Sequence, residues 1–467
     1  MKETFYFYDL ETSGLNPRSQ RIMQFAGQRT TLDMKPIGDP DDYLIQLTND
    51  ILPDPDAILV TGITPQRTRA EGYSEKEFLD IFYESIAIEG TIFVGYNSIR
   101  FDDEFMRTLL YRNLYDPYEW QWQDGKSKWD LLDVVRMTRA LRPEGIVWPF
   151  ASNGAKANKL ELITAVNNLE HTHAHNAMSD VIASIEVAKL IYKNQPKLFT
   201  YLLEMRDKNK VKALIGSKAP FVYTSGRYSS DYEKTAIVVS LGGSDPASCP
   251  VYDLRIDPEE WISTYNPDDK EQYHPIKLLK YNHCPAVAPL GVLGDDGWET
   301  VGLTPEDVES RYAKVQRLQE QLLRTYVPRT YPPQTTSLVG LPLDDVDQRI
   351  YDGFVPAKDK KHLARVHTMT LDELIDYKPE FDDPRLSSLL FLYKARQVPG
   401  SLLSEDREIY EQYVAKKLLD GGDQSQYAQF MNRLNELAKL DYLDADKRFI
   451  LEELALYAQS IVPLDSF

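Results

Sequence analysis

The run Thr4-Phe5-Tyr6-Phe7-Tyr8-Asp9 is aromatic and β-prone, and after Leu10-Glu11 the residues Thr12-Ser13-Gly14 read as a turn: a strand, then a break. Side chains two apart on a strand share a face, so Asp9 and Glu11 converge at its carboxyl end. Two carboxylates crowded there repel each other unless a cation neutralises them, and oxygen-only ligands suit Mg2+ or Mn2+. Taken alone, Asp-x-Glu also describes a solvated surface pair. The aromatic run before it, which has to be buried, raises the weight of the metal reading.

Outward from this strand, residues 21–32 read as a second strand and Thr91 to Tyr96 as a short apolar one. Helical spacing marks Glu75 to Ile88, Phe105 to Tyr111 and Ser179 to Lys193. Strands alternating with helices over 1–195 predict an α/β domain. After Asn194-Gln195-Pro196 the character changes. Short β-type runs (Ala236 to Leu241, Val251 to Ile256, Ile276 to Tyr281), a helix over Pro305 to Thr325 and a Pro-rich connector predict a small β-rich domain over 196–342. From 343 to 467 the pattern is almost wholly helical.

The chain has 467 residues, 42% hydrophobic and 27% charged, enough for two to four globular domains. No apolar run is long enough for a membrane span, and no signal-peptide pattern is present, so a cytoplasmic protein is expected. Two cysteines, Cys249 and Cys284, rule out a disulfide framework and a Cys-rich zinc module. The net charge of −19 argues against non-specific nucleic-acid binding, but it speaks less to a local site. Arg100 to Arg142 holds eight basic, eight acidic and eight aromatic residues, a neutral stretch with the composition of a stacking surface.

Two further elements carry chemistry. Tyr96-Asn97-Ser98-Ile99-Arg100-Phe101-Asp102-Asp103 ends a strand and opens a helix. Either aspartate could act or merely cap the helix, and spacing alone does not separate them. His175-Asn176-Ala177-Met178-Ser179-Asp180 places a residue suited to proton abstraction near neutral pH five positions before an acid at a helix start. Four carboxylates and one histidine at the ends of α/β elements fit two-metal phosphodiester hydrolysis.

Asp9-x-Glu11, Asp102 and His175-x4-Asp180 resemble the three exonuclease motifs of the DEDD superfamily, His subtype. The flanking text resembles the bacterial exodeoxyribonuclease I family: Val60-Thr61-Gly62 with Ile63-Thr64-Pro65, Tyr111-Arg112-Asn113, Trp129-Asp130-Leu131-Leu132-Asp133 and Ala140-Leu141-Arg142-Pro143-Glu144-Gly145. In the C-terminal region Ile350-Tyr351, Gly353-Phe354 and Pro399-Gly400 also match; the middle, about 215–340, matches poorly.

The resemblance implies a ribonuclease-H-like exonuclease domain, an SH3-like β domain and an all-helical C-terminal domain. It implies a processive 3′→5′ exonuclease that degrades single-stranded DNA to 5′-mononucleotides, acting in repair and recombination as a monomer. By motif, Asp9, Glu11, Asp102 and Asp180 would bind two Mg2+ ions, with Mn2+ as a substitute, and His175 would be the general base. Glu11, Lys159, Arg107, Tyr118, Trp122 and Arg136 would contact the strand; Lys159 stands where relatives carry Arg. Trp129 is assigned to the core. Arg142 and Tyr201 would receive the acidic C-terminal tail of single-stranded DNA-binding protein. The alternatives are an exonuclease acting on RNA or in proofreading, and a single-strand binding protein that no longer cuts.

Overall fold

A computed structural model describes residues 2–169, 176–243, 245–269, 271–326, 343–441 and 443–462. The opening run forms β1 (Thr4–Thr12), three residues longer than the sequence predicts. It lies at the centre of a five-stranded sheet with β2 (Ile22–Thr30), β3 (Asp41–Leu44), β4 (Thr91–Gly95) and β5 (Ser127–Asp130), in the order β3-β2-β1-β4-β5. β2 runs antiparallel to β1 from Phe5↔Thr30 to Glu11↔Gln24, whereas β4 runs parallel to it only from Thr4↔Thr91 to Phe7↔Val94. Beyond Phe7 the strand therefore overhangs β4. Asp9 and Glu11 stand on this overhang at the carboxyl ends of the parallel strands, where α/β sheets place their ligands.

Both faces of β1 are covered, which explains its near-continuous apolar run. Phe5 and Phe7 face a core built with α3 (Ala177–Asn194), while Tyr6, Tyr8 and Leu10 face Phe25, Phe78, Phe93 and Trp120. Two more helices frame the site, α1 (Asp102–Arg112) after β4 and α2 (Leu131–Leu141) after β5. Trp129 is buried with its ring stacked on Phe5 at 6.1 Å, so its assignment to the core holds.

The second part is an antiparallel sheet in the order β10-β6-β7-β8-β9. Its strands are β6 (Phe221–Thr224), β7 (Thr235–Ser240), β8 (Ser248–Asp253), β9 (Ile276–Lys280) and β10 (Ala286–Pro289), with α4 (Pro305–Thr325) against it. The third part is helical and includes α5 (Arg385–Gln397). The three-part architecture expected from the sequence is thus present. Among the described residues no helix is long and apolar enough to cross a membrane.

The third part is not packed independently of the first. One apolar core runs from Leu47, Ile51 and Ile58 into Leu389, Tyr410 and Leu454. Beside it lies a buried ion network: Arg396 bridges Asp50 (2.7 Å) and Asp347 (2.8 Å), Lys417 adds a second cation on Asp50 (2.6 Å), and Arg21 reaches Asp347 (3.2 Å). Removing one partner leaves an uncompensated buried charge. Arg396→Met is expected to cost about 3–5 kcal/mol, read as a lower urea midpoint for the transition that involves both parts.

Candidate active site

Asp9, Glu11 and Asp180 come together: one carboxylate oxygen from each lies within 4.8 Å of the others. β1 supplies the first two on the face that packs against α3. The first turn of α3 supplies the third. That helix starts where it does because Asn176 caps it, accepting from the Ser179 N–H (3.2 Å). His175 lies immediately before this cap, outside the described residues.

Asp102 is the fourth carboxylate. β4 ends at Gly95, where a Cβ would lie 2.4 Å from the Ser98 side chain, so only glycine permits this tight exit. Asn97 then adopts a left-handed conformation (φ 67°). Asp130 holds the turn by accepting from the Asn97 N–H (3.0 Å) and the Ile99 N–H (3.2 Å). The turn delivers Asp102 to the first position of α1, where it is buried. Asp103 turns away and accepts from the Tyr8 hydroxyl (2.6 Å) and the Lys128 ammonium (2.8 Å). Tertiary structure thereby separates the two aspartates.

The electrostatics of the cluster are those of crowded anions. Burial, then Asp102, Asp180 and Glu11, push the Asp9 carboxyl well above its ordinary value. Burial and Asp180 push Glu11 up to about 7. Asp102 is also raised, chiefly by burial and then by Asp103 among its neighbours, whereas Asp103 is held down at about 2 because Lys128 and Arg107 outweigh its burial. Oxygen donors that repel each other in this way fit a hard divalent cation, which would relieve the repulsion.

A pH effect follows, with a definite sign. Unfolded, Glu11 releases its proton near 4.5; folded and metal-free it keeps it to about 7. The unfolded chain then binds fewer protons, so metal-free stability falls as pH rises through that window. Glu11→Gln is expected to raise the melting temperature in EDTA at about pH 8 by roughly 2–4 °C and to blunt the gain on adding Mg2+. Thermal unfolding at about pH 5 and about pH 8, with and without the metal, checks both.

Two cavities lie in this part of the molecule, neither of them lined by the four acids. One, of about 420 Å3, runs between the α/β part and the β-rich part; Asn97, Asp130 and Arg136 line one side and Tyr223, Arg227 and His283 the other. The second, of about 600 Å3, is basic and aromatic, lined by Arg107, Tyr118, Trp122, Lys126, Lys128 and Arg206 among others. Trp122 is 62% exposed, as a stacking surface requires, and Tyr118 packs against Phe354 at 5.9 Å. Phe354, in the helical part, is itself 85% exposed.

The other sequence-derived contacts fall less simply. Arg107 is buried and shared between Glu104, Gln121 and the Tyr118 ring, so it is not a free surface cation. Arg136 lines the first cavity but donates to Asp133 (2.6 Å). Lys159 is exposed and lies 3.6 Å from Glu161. Arg142 donates to the carbonyls of Leu141 and Val292, inside a cavity of about 830 Å3 that also holds Glu144, Asp295, Asp296 and Glu299. Tyr201 is half-buried between two cores and does not line that cavity. Sequence reasoning did not place Tyr223, Arg227 and His283 of the β-rich part on the wall of the first cavity, nor Phe354 of the helical part against Tyr118. Their positions in the chain carry no spacing relation to the acids.

The family profile described as Exonuclease matches residues 6–188, that of the Exonuclease I SH3-like domain residues 206–332, and that of the Exonuclease I C-terminal domain residues 344–461. Exodeoxyribonuclease I of Escherichia coli (strain K12) is 34% identical over 484 residues, covering 99% of this chain and 98% of the relative. The chain belongs to the exodeoxyribonuclease I family. Solved exodeoxyribonuclease I structures agree. That of E. coli exonuclease I in complex with a dA16 oligonucleotide has a TM-score of 0.87 at 32% identity, covering 98% of this chain and all of the other. That of SSB/exonuclease I in complex with the inhibitor CFAM has a TM-score of 0.88 at 32% identity, covering 99% of this chain and all of the other. Like other exodeoxyribonuclease I chains, this one therefore joins an exonuclease domain, an SH3-like domain and a C-terminal domain in one enzyme.

Proposed function

We propose that this enzyme removes nucleotides one at a time from the 3′ end of single-stranded DNA, processively and with release of 5′-mononucleotides. The observation that carries the reading is the convergence of the Asp9, Glu11 and Asp180 carboxylates at the carboxyl end of β1. The relative that holds a dA16 oligonucleotide, with this fold, supports the substrate class.

In this reading Asp9, Glu11, Asp102 and Asp180 hold two Mg2+ ions, which Mn2+ can replace. Bound there, the cations neutralise charge at the scissile phosphate and make water a stronger acid. His175 takes the proton of the attacking water. The water oxygen joins the terminal phosphorus and the bond to the preceding 3′ oxygen breaks; that oxygen takes a proton from solvent, so the remaining strand ends in a hydroxyl and re-enters the same step. Trp122 and Tyr118 stack bases without regard to sequence, while Arg107, Arg136 and Lys159 face phosphates. Lys159 does so as a point charge, not a bidentate clamp.

The same reading places the enzyme, as a cytoplasmic monomer, in repair and recombination. There Arg142 and Tyr201 would receive the acidic tail of single-stranded DNA-binding protein. Glu144, Asp295, Asp296 and Glu299 beside Arg142 weaken that contact by like-charge repulsion.

The deciding experiment uses a 5′-labelled single-stranded oligomer with Mg2+, a 3′-phosphorothioate control and an EDTA control. Shortening from the 3′ end that both controls block supports the reading. Binding without any shortening, in Mg2+ or Mn2+, sinks it.

A further inference from the structure

The Asp103 carboxylate, 1% exposed, lies beside the cluster but is no part of it. Three elements converge on it. β1 brings the Tyr8 hydroxyl (2.6 Å), β5 brings the Lys128 ammonium (2.8 Å), and the next turn of α1 brings Arg107 (3.8 Å). Lys128 is itself largely buried and stands in register with Phe93 of β4, so the attachment spans three adjacent strands, β1, β4 and β5. A carboxylate this deep needs such partners to remain charged.

The chain positions give the arrangement its consequence. Tyr8 immediately precedes Asp9, and Asp103 immediately follows Asp102, so one O–H···O bond joins the neighbours of two clustered acids. Those acids repel each other. Nothing in their own charge keeps the start of α1 seated on the overhang of β1; an attractive tether beside them does.

We infer that Asp103 is a positioning residue which, with Tyr8 and Lys128, clamps the first turn of α1 to β1 and sets the placement of Asp102 relative to Asp9. The inference rests on the reading of this cluster as the cleavage centre. Partners that orient metal-binding carboxylates typically change metal affinity or activity by ~10–100-fold when removed.

Tyr8→Phe, which deletes only the hydroxyl, and Asp103→Asn, which keeps the shape, are the informative variants. Asp103→Ala is avoided because it leaves Lys128 and Arg107 buried without their shared anion. In both variants kcat on a single-stranded oligomer is expected to fall by ~10–100-fold with KM within about twofold. Mn2+ affinity without DNA, measured by electron paramagnetic resonance, is expected to weaken by ~10-fold or more. Unchanged kcat and Mn2+ affinity in both variants would overturn the inference. So would a rise in KM alone, which would place Asp103 in DNA binding through Arg107. If the unmutated enzyme cuts no DNA, the functional reading fails by itself, and the Mn2+ titration still decides whether Asp103 orders the acids.

Discussion

Replacing Asp9 or Asp180 by Asn is expected to lower the rate of DNA cleavage by at least ~10³-fold while leaving affinity for a single-stranded oligomer within about twofold. Each residue is one of the three whose oxygens lie within 4.8 Å of one another. Loss of either removes one of the four carboxylates that would hold the divalent cations. Such a cation is worth several kcal/mol of charge stabilisation in the transition state, and each ~1.4 kcal/mol is tenfold in rate. In the proposed reading the strand is bound elsewhere, on exposed Trp122 and in cavities that none of these acids lines. Single-turnover cleavage alongside fluorescence anisotropy in EDTA separates the two quantities. A matching loss of affinity would show that the acids shape the strand-binding groove itself.

His175→Ala is expected to slow turnover by ~10²–10⁴-fold, the usual worth of a positioned general base, with little change in KM. The side chain belongs to the residue just before Asn176, which caps the helix carrying Asp180. An imidazole there has the intrinsic pKa to accept a proton near neutrality. The unmutated enzyme is expected to show an acid limb in its kcat profile that flattens in the variant. Near-normal turnover would mean that bulk water or another group takes the proton.

Much of this site was legible because its parts are local. Alternation along β1 puts Asp9 and Glu11 on one face whatever surrounds them, and the spacing before Asp180 predicts a helix start without tertiary contacts. The helix over Pro305–Thr325 was legible to the residue, since Thr304 forms a capping box with Asp307 and Pro305 takes the first turn. Strands β3, β5, β6 and β10 were not resolved, because each has only four residues and is held by its neighbours in the sheet.

What the sequence by itself determined is the chemistry on offer: a strand ending in two acids, an acid pair opening one helix, a histidine and an acid at another, and the order of three domains. What only the tertiary structure decided is which of those groups meet. Asp102 and Asp103 are equivalent as neighbours in a chain; they differ because Asp102 is buried where its charge acts on Asp9, while Tyr8 and Lys128 hold Asp103. That Glu104 and Gln121 hold the Arg107 guanidinium is visible only in the folded chain. The cavity wall facing Asn97 and Asp130 comes from Tyr223, Arg227 and His283, in another part of the chain. The physical reason is one of range: backbone periodicity and capping act over a few residues, whereas the pairing and desolvation of buried charges depend on atoms that only packing brings within reach.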